Sequence, residues 1–154
     1  MTSINLLSDL SACSEACKWV RDNGHNNLES AWLACERGDW MLWFANRRGA
    51  DIKTLTLAKC GCARLALPHT KDPRVLATIE TAERWARGQA TDEELDVARS
   101  AAASAASAAY AAYAAASAAY AAYAAYAAYA AYAARKETLK RCAEIVRTCF
   151  PTLP

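Results

Sequence analysis

Apolar positions in the first ninety residues recur at three- and four-residue intervals, and each run is bracketed by residues that start or stop a helix. Ser8 or Ser11 can open a helix carrying Ala12, Ala16, Trp19 and Val20, which Asn23 and Gly24 end. Asn27 can cap a second, Leu28 to Arg37, with Ala31, Trp32 and Cys35 as its stripe and Gly38 past its end. Asp39 then caps a third from Trp40 to Ala45 and beyond, stopped by Gly49. Asp51 opens a fourth through Leu55, Ala58, Cys62, Leu65 and Ala66 to Pro68. Asp72 followed by Pro73 puts proline at the first helical position, where its missing N–H costs least, and that helix runs through Leu76, Ile79, Ala82 and Ala86 to Gly88. No hairpin turn flanked by alternating residues interrupts the pattern. The expected fold is all-α, with about five short helices packed as a compact bundle over residues 1–90.

Thr91 and Glu94 form a capping box, and no glycine or proline follows until Pro151. One unbroken helix over 92–149 would be about 87 Å long, whereas a domain of this length should be roughly 40 Å across. Either the segment projects as an arm or it breaks, most naturally at Ala134-Arg135-Lys136, where an alanine tract gives way to an amphipathic pattern of Leu139, Cys142, Ile145, Val146 and Cys149. Within a single domain of residues 1–154, this divides the chain into a Trp-rich globule (1–90), a long Ala/Tyr helix of low complexity (91–134) and a C-terminal amphipathic helix (135–154). Tyrosines spaced by three lag one another by about 60° on an α-helix, so Tyr110 and Tyr113 share an arc with Tyr120 and Tyr123 while Tyr126, Tyr129 and Tyr132 continue round the back. The result is a spiral instead of a coiled-coil seam. The later tyrosines, Tyr120, Tyr123, Tyr126, Tyr129 and Tyr132, are the candidates for an interface between copies of the chain.

Composition alters this picture in two ways. Of 154 residues 39 are alanine, 24 of them between 101 and 134, so the 55% hydrophobic fraction overstates the core the chain can build. The uncharged tract is long enough to span a bilayer, but alanine and serine insert poorly and tyrosines run through its middle, so no membrane span is expected. The net charge of +2 lacks the dense basic stripe of a nucleic-acid binder. The N-terminus has neither a basic region nor an apolar run of the secretory kind. Seven cysteines without a CxxC pair read as buried free thiols in a reducing cytoplasm, with no metal and no cofactor.

The densest chemistry lies at the corner between the second and third helices, where Trp32, Trp40 and Trp43 crowd within twelve residues. Trp32 and Trp43 read as core, and Trp40, at a helix start, as the more exposed anchor for a partner. This stretch, Ala31-Trp32 through Cys35-Glu36-Arg37-Gly38-Asp39-Trp40 to Trp43, resembles the immunity protein family of bacterial polymorphic-toxin loci, which has prophage and phage members. Also similar are Cys60-Gly61-Cys62 to Pro68, Asp72-Pro73-Arg74, Ile79 to Gly88 and the Ala-rich helix ending in Arg135-Lys136. The resemblance covers roughly residues 28–150 and implies a binding protein that antagonises a toxin by stoichiometric occlusion, without carrying a catalytic motif.

The residues agree in offering no enzyme signature. His25 and His69 sit in loops without a spaced nucleophile or metal partner, and no phosphate loop, HExxH or GxSxG is present. Arg47 and Arg48 close the third helix at its negative end. Arg64, in an otherwise apolar helix, either pairs with an acid such as Asp39 or Glu80 or lines an anion pocket with tryptophan. The candidate binding residues are therefore Trp40, Asp39, Arg47, Arg48 and Arg64. Their partner is a protein toxin or, as the alternative, a nucleotide-like immune signal that a phage counter-defence protein would sequester. A structural homo-oligomer built through the tyrosine spiral is the third reading.

Overall fold

The computed structural model describes residues 3–25, 27–65, 67–69, 72–101 and 124–154, and their side chains except at 3–4, 69 and 124–134. Among these residues the chain is all-α: α1 (Ser3–Asp9), α2 (Ser14–Asp22), α3 (Leu28–Ala34), α4 (Gly38–Arg47), α5 (Ile52–Arg64), α6 (Pro73–Ala86), α7 (92–101) and α8 (Ala124–Cys149), with a 3-10 turn at Leu67–His69 between α5 and α6.

Most starts follow from local chemistry. The side chain of Asn27 accepts the Ser30 N–H at 2.8 Å, that of Asp51 the Thr54 N–H at 2.8 Å, and that of Asp72 the Arg74 N–H at 3.0 Å ahead of Pro73. Thr91 and Glu94 close their box reciprocally, at 2.8 and 3.2 Å. Each supplies an acceptor for an N–H that the first helical turn leaves without a partner.

The departures are informative. A helix not expected from the sequence, α1, precedes α2, and Ser8 and Ser11 terminate it instead of opening the next. Ser11 adopts φ +64° and donates its N–H to Ser8 O, while the Ala12 N–H reaches back to Leu7 O at 2.8 Å. This is a Schellman closure with serine in the place glycine usually holds. α2 then starts after Cys13, whose side chain makes no capping hydrogen bond. α3 stops at Ala34, three residues short of the expected Arg37, and Gly38 begins α4 instead of ending α3. Asp39 is thus the second residue of α4 and not its cap. α5 ends at Arg64, before Pro68, and α8 passes without interruption through Ala134-Arg135-Lys136, the place where a break would have been most natural.

What places Gly38 inside a helix is the neighbour it meets. Helix α8 lies against both α4 and α5, and α5 packs in turn on α6. A Cβ at Gly38 would run into Cys142 Cβ and come within 2.7 Å of the Ala143 nitrogen, and one at Gly61 within 2.7 Å of Ile145 Cγ2. The absence of a side chain at Gly38 therefore lets α8 approach α4 almost backbone to backbone, and its absence at Gly61 makes room on α5 for the Ile145 side chain. Ala143 and Val146 are fully buried at this junction, with Met41 and Leu55 beside them in the core. Complete burial of each larger side chain removes about 1.5–3 kcal/mol worth of apolar surface from water.

Helix α7 joins the bundle through Leu95, which is buried, and through the Thr78 hydroxyl on α6, which donates to Ala98 O at 2.8 Å. Tyr110, Tyr113, Tyr120 and Tyr123 lie outside the described residues. The backbone at Tyr126, Tyr129 and Tyr132 belongs to α8, with their side chains outside the description, so the expected interface between copies falls outside the described structure. Among the described residues no helix is long and apolar enough to cross a membrane.

The two glycines should respond unequally to alanine. At Gly38 the obstacle is backbone and Cβ, which cannot swing away, so Gly38→Ala should cost about 2–3 kcal/mol. At Gly61 the obstacle is the end of an isoleucine side chain, and the cost should stay near 1 kcal/mol. Urea denaturation of both variants against wild type checks the order, and equal losses would refute the backbone contact.

Candidate functional site

The four short N-terminal helices do not close completely on one another. Between them lies a cavity of about 390 Å³. Leu7 of α1, Ala16, Trp19 and Val20 of α2, Leu28, Ala31 and Trp32 of α3, and Trp40, Met41, Trp43 and Phe44 of α4 line it, with Leu153 from the C-terminal segment. Ser11, Ala12, Cys13, Cys35 and Asp39 complete the wall. Trp32 is buried at 4% exposure, whereas Trp19, Trp40 and Trp43 are half-buried. Trp40, expected to be the exposed tryptophan, and Trp43, expected in the core, thus have the same partial burial.

The rings are held in place by contacts around them. Trp19 meets Trp40 edge-on at 6.2 Å and His25 at 4.8 Å, and Trp32 lies 6.1 Å from Phe44. The Trp32 indole N–H donates to Phe150 O at 3.2 Å, which fixes its orientation from the end of α8. Arg147 of α8 returns the favour to α3, donating to Cys35 O at 2.7 Å and Trp32 O at 3.4 Å. That guanidinium occupies the end of α3 where a glycine turn would otherwise satisfy the last carbonyls, and it favours the negative pole of the helix.

At the rim, Arg37 is the organising residue. Its Nε and Nη2 grip both oxygens of Asp39 at 2.9 and 2.7 Å, its Nη1 reaches Glu15 at 3.1 Å, and its guanidinium carbon stands 4.2 Å from the centre of the Trp40 ring. Burial works against ionised Asp39, but the hydrogen bonds and charge of Arg37 outweigh it and hold the carboxyl below its ordinary range. The Asp39 hydrogen bond in turn raises the Arg37 pKa. Cation–π contact adds about 0.5–1 kcal/mol at such a partly exposed site.

The other candidates disperse. Arg47 stands 6.0 Å over the ring of Trp43 at the far end of α4, and the Arg48 Nε donates to the Pro154 oxygen at 3.4 Å. Arg64 pairs with neither Asp39 nor Glu80: its Nε and Nη2 bind Glu83 at 2.7 and 2.9 Å, and it does not line the cavity. That hydrogen-bonded pairing lowers the Glu83 pKa, and with Arg64 40% exposed it stabilises the α5–α6 contact only modestly. The arginines are therefore not gathered with tryptophan into one anion pocket. Arg37 and Trp19, which the structure brings to the site, were not singled out in the sequence. The only local hint of Arg37 is its spacing of two from Asp39.

The thiols are mostly structural. Burial pushes Cys35 up, and Cys62 is pushed up to about 12, by burial first and then by the adjacent Cys142 thiol. Cys35, Cys60 and Cys142 are buried, while Cys13 is exposed at the start of α2. Among the described residues no group of His, Cys, Asp and Glu is arranged to hold a metal ion. The chain matches no protein-family model, no curated protein and no solved structure.

Two measurements follow from this arrangement. Because the folded-state pKa of Asp39 lies below the unfolded value of 3.8, its contribution is complete above that value and disappears as pH falls through the folded one. Asp39→Asn should therefore flatten the loss of stability on acidification below about pH 4, measured by chemical denaturation across the acid range, and an unchanged slope would remove the pair from the stability balance. Thiol labelling with a chromogenic disulfide near neutral pH should modify Cys13 at once and reach Cys35, Cys60 and Cys142 only on denaturation. Rapid modification of Cys35 would mean that α3 opens readily.

Proposed function

We propose that the chain is a non-catalytic binding protein of the cytoplasm that antagonises a protein toxin by stoichiometric occlusion, in keeping with its resemblance to immunity proteins. The observation that carries this reading is the concave mouth between α2 and α4. There half-buried Trp19, Trp40 and Trp43 surround an apolar hollow beside the Glu15, Arg37 and Asp39 ion cluster. Aromatic anchors beside a polar rim are the arrangement in which a few residues supply most of the binding free energy. Trp40 stands on α4, which packs closely on α8, and its ring is flanked by Trp19 and Arg37, so little side-chain freedom remains to be lost on association. Free thiols support a reducing, cytoplasmic setting. The nucleotide-sequestering alternative has less support, because Arg64 is committed to Glu83 and Arg37 to two carboxylates.

Co-expression with toxin candidates encoded beside this gene tests the proposal. The expected outcome is rescue of growth and a one-to-one complex on size exclusion. Trp40→Ala should weaken that complex about 30-fold, or about 2 kcal/mol, with helical circular dichroism unchanged. Absence of rescue and of any complex across the neighbouring toxins would refute it.

A further inference from the structure

We infer that the depth of the tryptophan-walled cavity is a binding site for a small, uncharged, flat aromatic molecule of about two fused rings. This goes beyond the occlusion reading and does not depend on it: the tryptophans that a protein would meet at the mouth also wall an interior closed by the buried Val20, Ala31, Met41 and Phe44. Volume gives the size. At about 390 Å³ the cavity falls within the range of small-molecule sites. It is more than twice the roughly 150 Å³ that suffices for benzene, so a single ring underfills it.

Wall chemistry gives the class. Trp19, Trp32, Trp40, Trp43 and Phe44 all contribute to the lining, and aromatic rings favour another ring stacked with an offset or set edge to face. Charge then narrows the choice. Asp39 supplies the one carboxylate of the wall, and both its oxygens are bound by Arg37, whose third donor group is on Glu15. With two carboxylates to one guanidinium the cluster keeps a net negative charge that disfavours an anion, and a cation would give up its hydration for an apolar interior whose one carboxylate is already bound by Arg37. The exposed Ser11 hydroxyl, also in the wall, offers a hydrogen bond to one ring heteroatom.

The test uses the purified full chain with indole and quinoline as probes, followed by tryptophan fluorescence and by intermolecular nuclear Overhauser effects. The expected result is saturable binding with Kd on the order of 10–100 µM, and cross-peaks from probe protons to the indole protons of Trp19, Trp40 or Trp43. Ala16 lines the cavity and is only half-buried. Ala16→Phe should fill the space and weaken binding at least about tenfold, judged only if its helical signal matches wild type. Should that variant not fold, the Overhauser contacts in the wild-type protein decide the matter. Naphthalene-1-sulfonate and adenosine monophosphate serve as charged comparators and should bind at least about tenfold more weakly than the neutral probes. No saturation by either neutral probe up to about 1 mM, contacts outside the cavity, undiminished binding in folded Ala16→Phe, or tighter binding of the anions would each overturn the inference.

Discussion

The contact of Gly38 with Cys142 and Ala143 is a backbone approach that no side chain could replace, and the remaining geometry hangs from it. Because α8 sits so close to the start of α4, Arg147, about one turn further along, reaches the end of α3 and satisfies Cys35 O and Trp32 O. Just past α8, Phe150 O receives the Trp32 indole N–H. Helices α3 and α4 are thereby held at one angle by a third element distant in sequence. The tryptophans they carry inherit that angle, and so does the cavity they surround. Gly61 on α5 makes room for the Ile145 side chain, so glycine admits α8 on two sides at once.

The charges follow the same logic of commitment. Arg37 spends its donors on Asp39 and Glu15 and its flat face on Trp40, which turns a potentially attractive cation into a fixed part of the rim. Arg64 is similarly consumed by Glu83. Burial raises the pKa of Cys35, Cys60 and Cys62, which suppresses their thiolates and leaves them as packing groups. The described structure thus provides a shaped apolar surface whose edge charges are already paired, and shape and aromatic contact are what it has to offer a partner.

Helix starts were legible to the residue at Asn27, Asp51, Asp72 and Thr91, since a cap and the N–H it satisfies are two or three positions apart in the chain. The stripe of Cys142 and Val146 was legible because burial on α8 follows the helical period. Gly38 was misread because a glycine that ends a helix and a glycine that admits a neighbour look alike in one dimension. Asp39 was misread with it, for its role passed from cap to ion-pair partner once α4 began two residues earlier. Arg64 was rightly suspected of pairing, but its partner lies one turn beyond Glu80, a difference set by how α5 crosses α6.

All-α character and most helix starts were decided locally, by interactions within one turn of chain. The cavity, the paired rim, the early stop of α3 and the assignment of each arginine to its partner required residues of different helices to meet, 19 positions apart for Arg64 and Glu83, 22 for Arg37 and Glu15 and 112 for Arg147 and Cys35. Such meetings depend on which surfaces can approach closely without steric conflict, a property of three-dimensional packing that spacing along the chain does not encode.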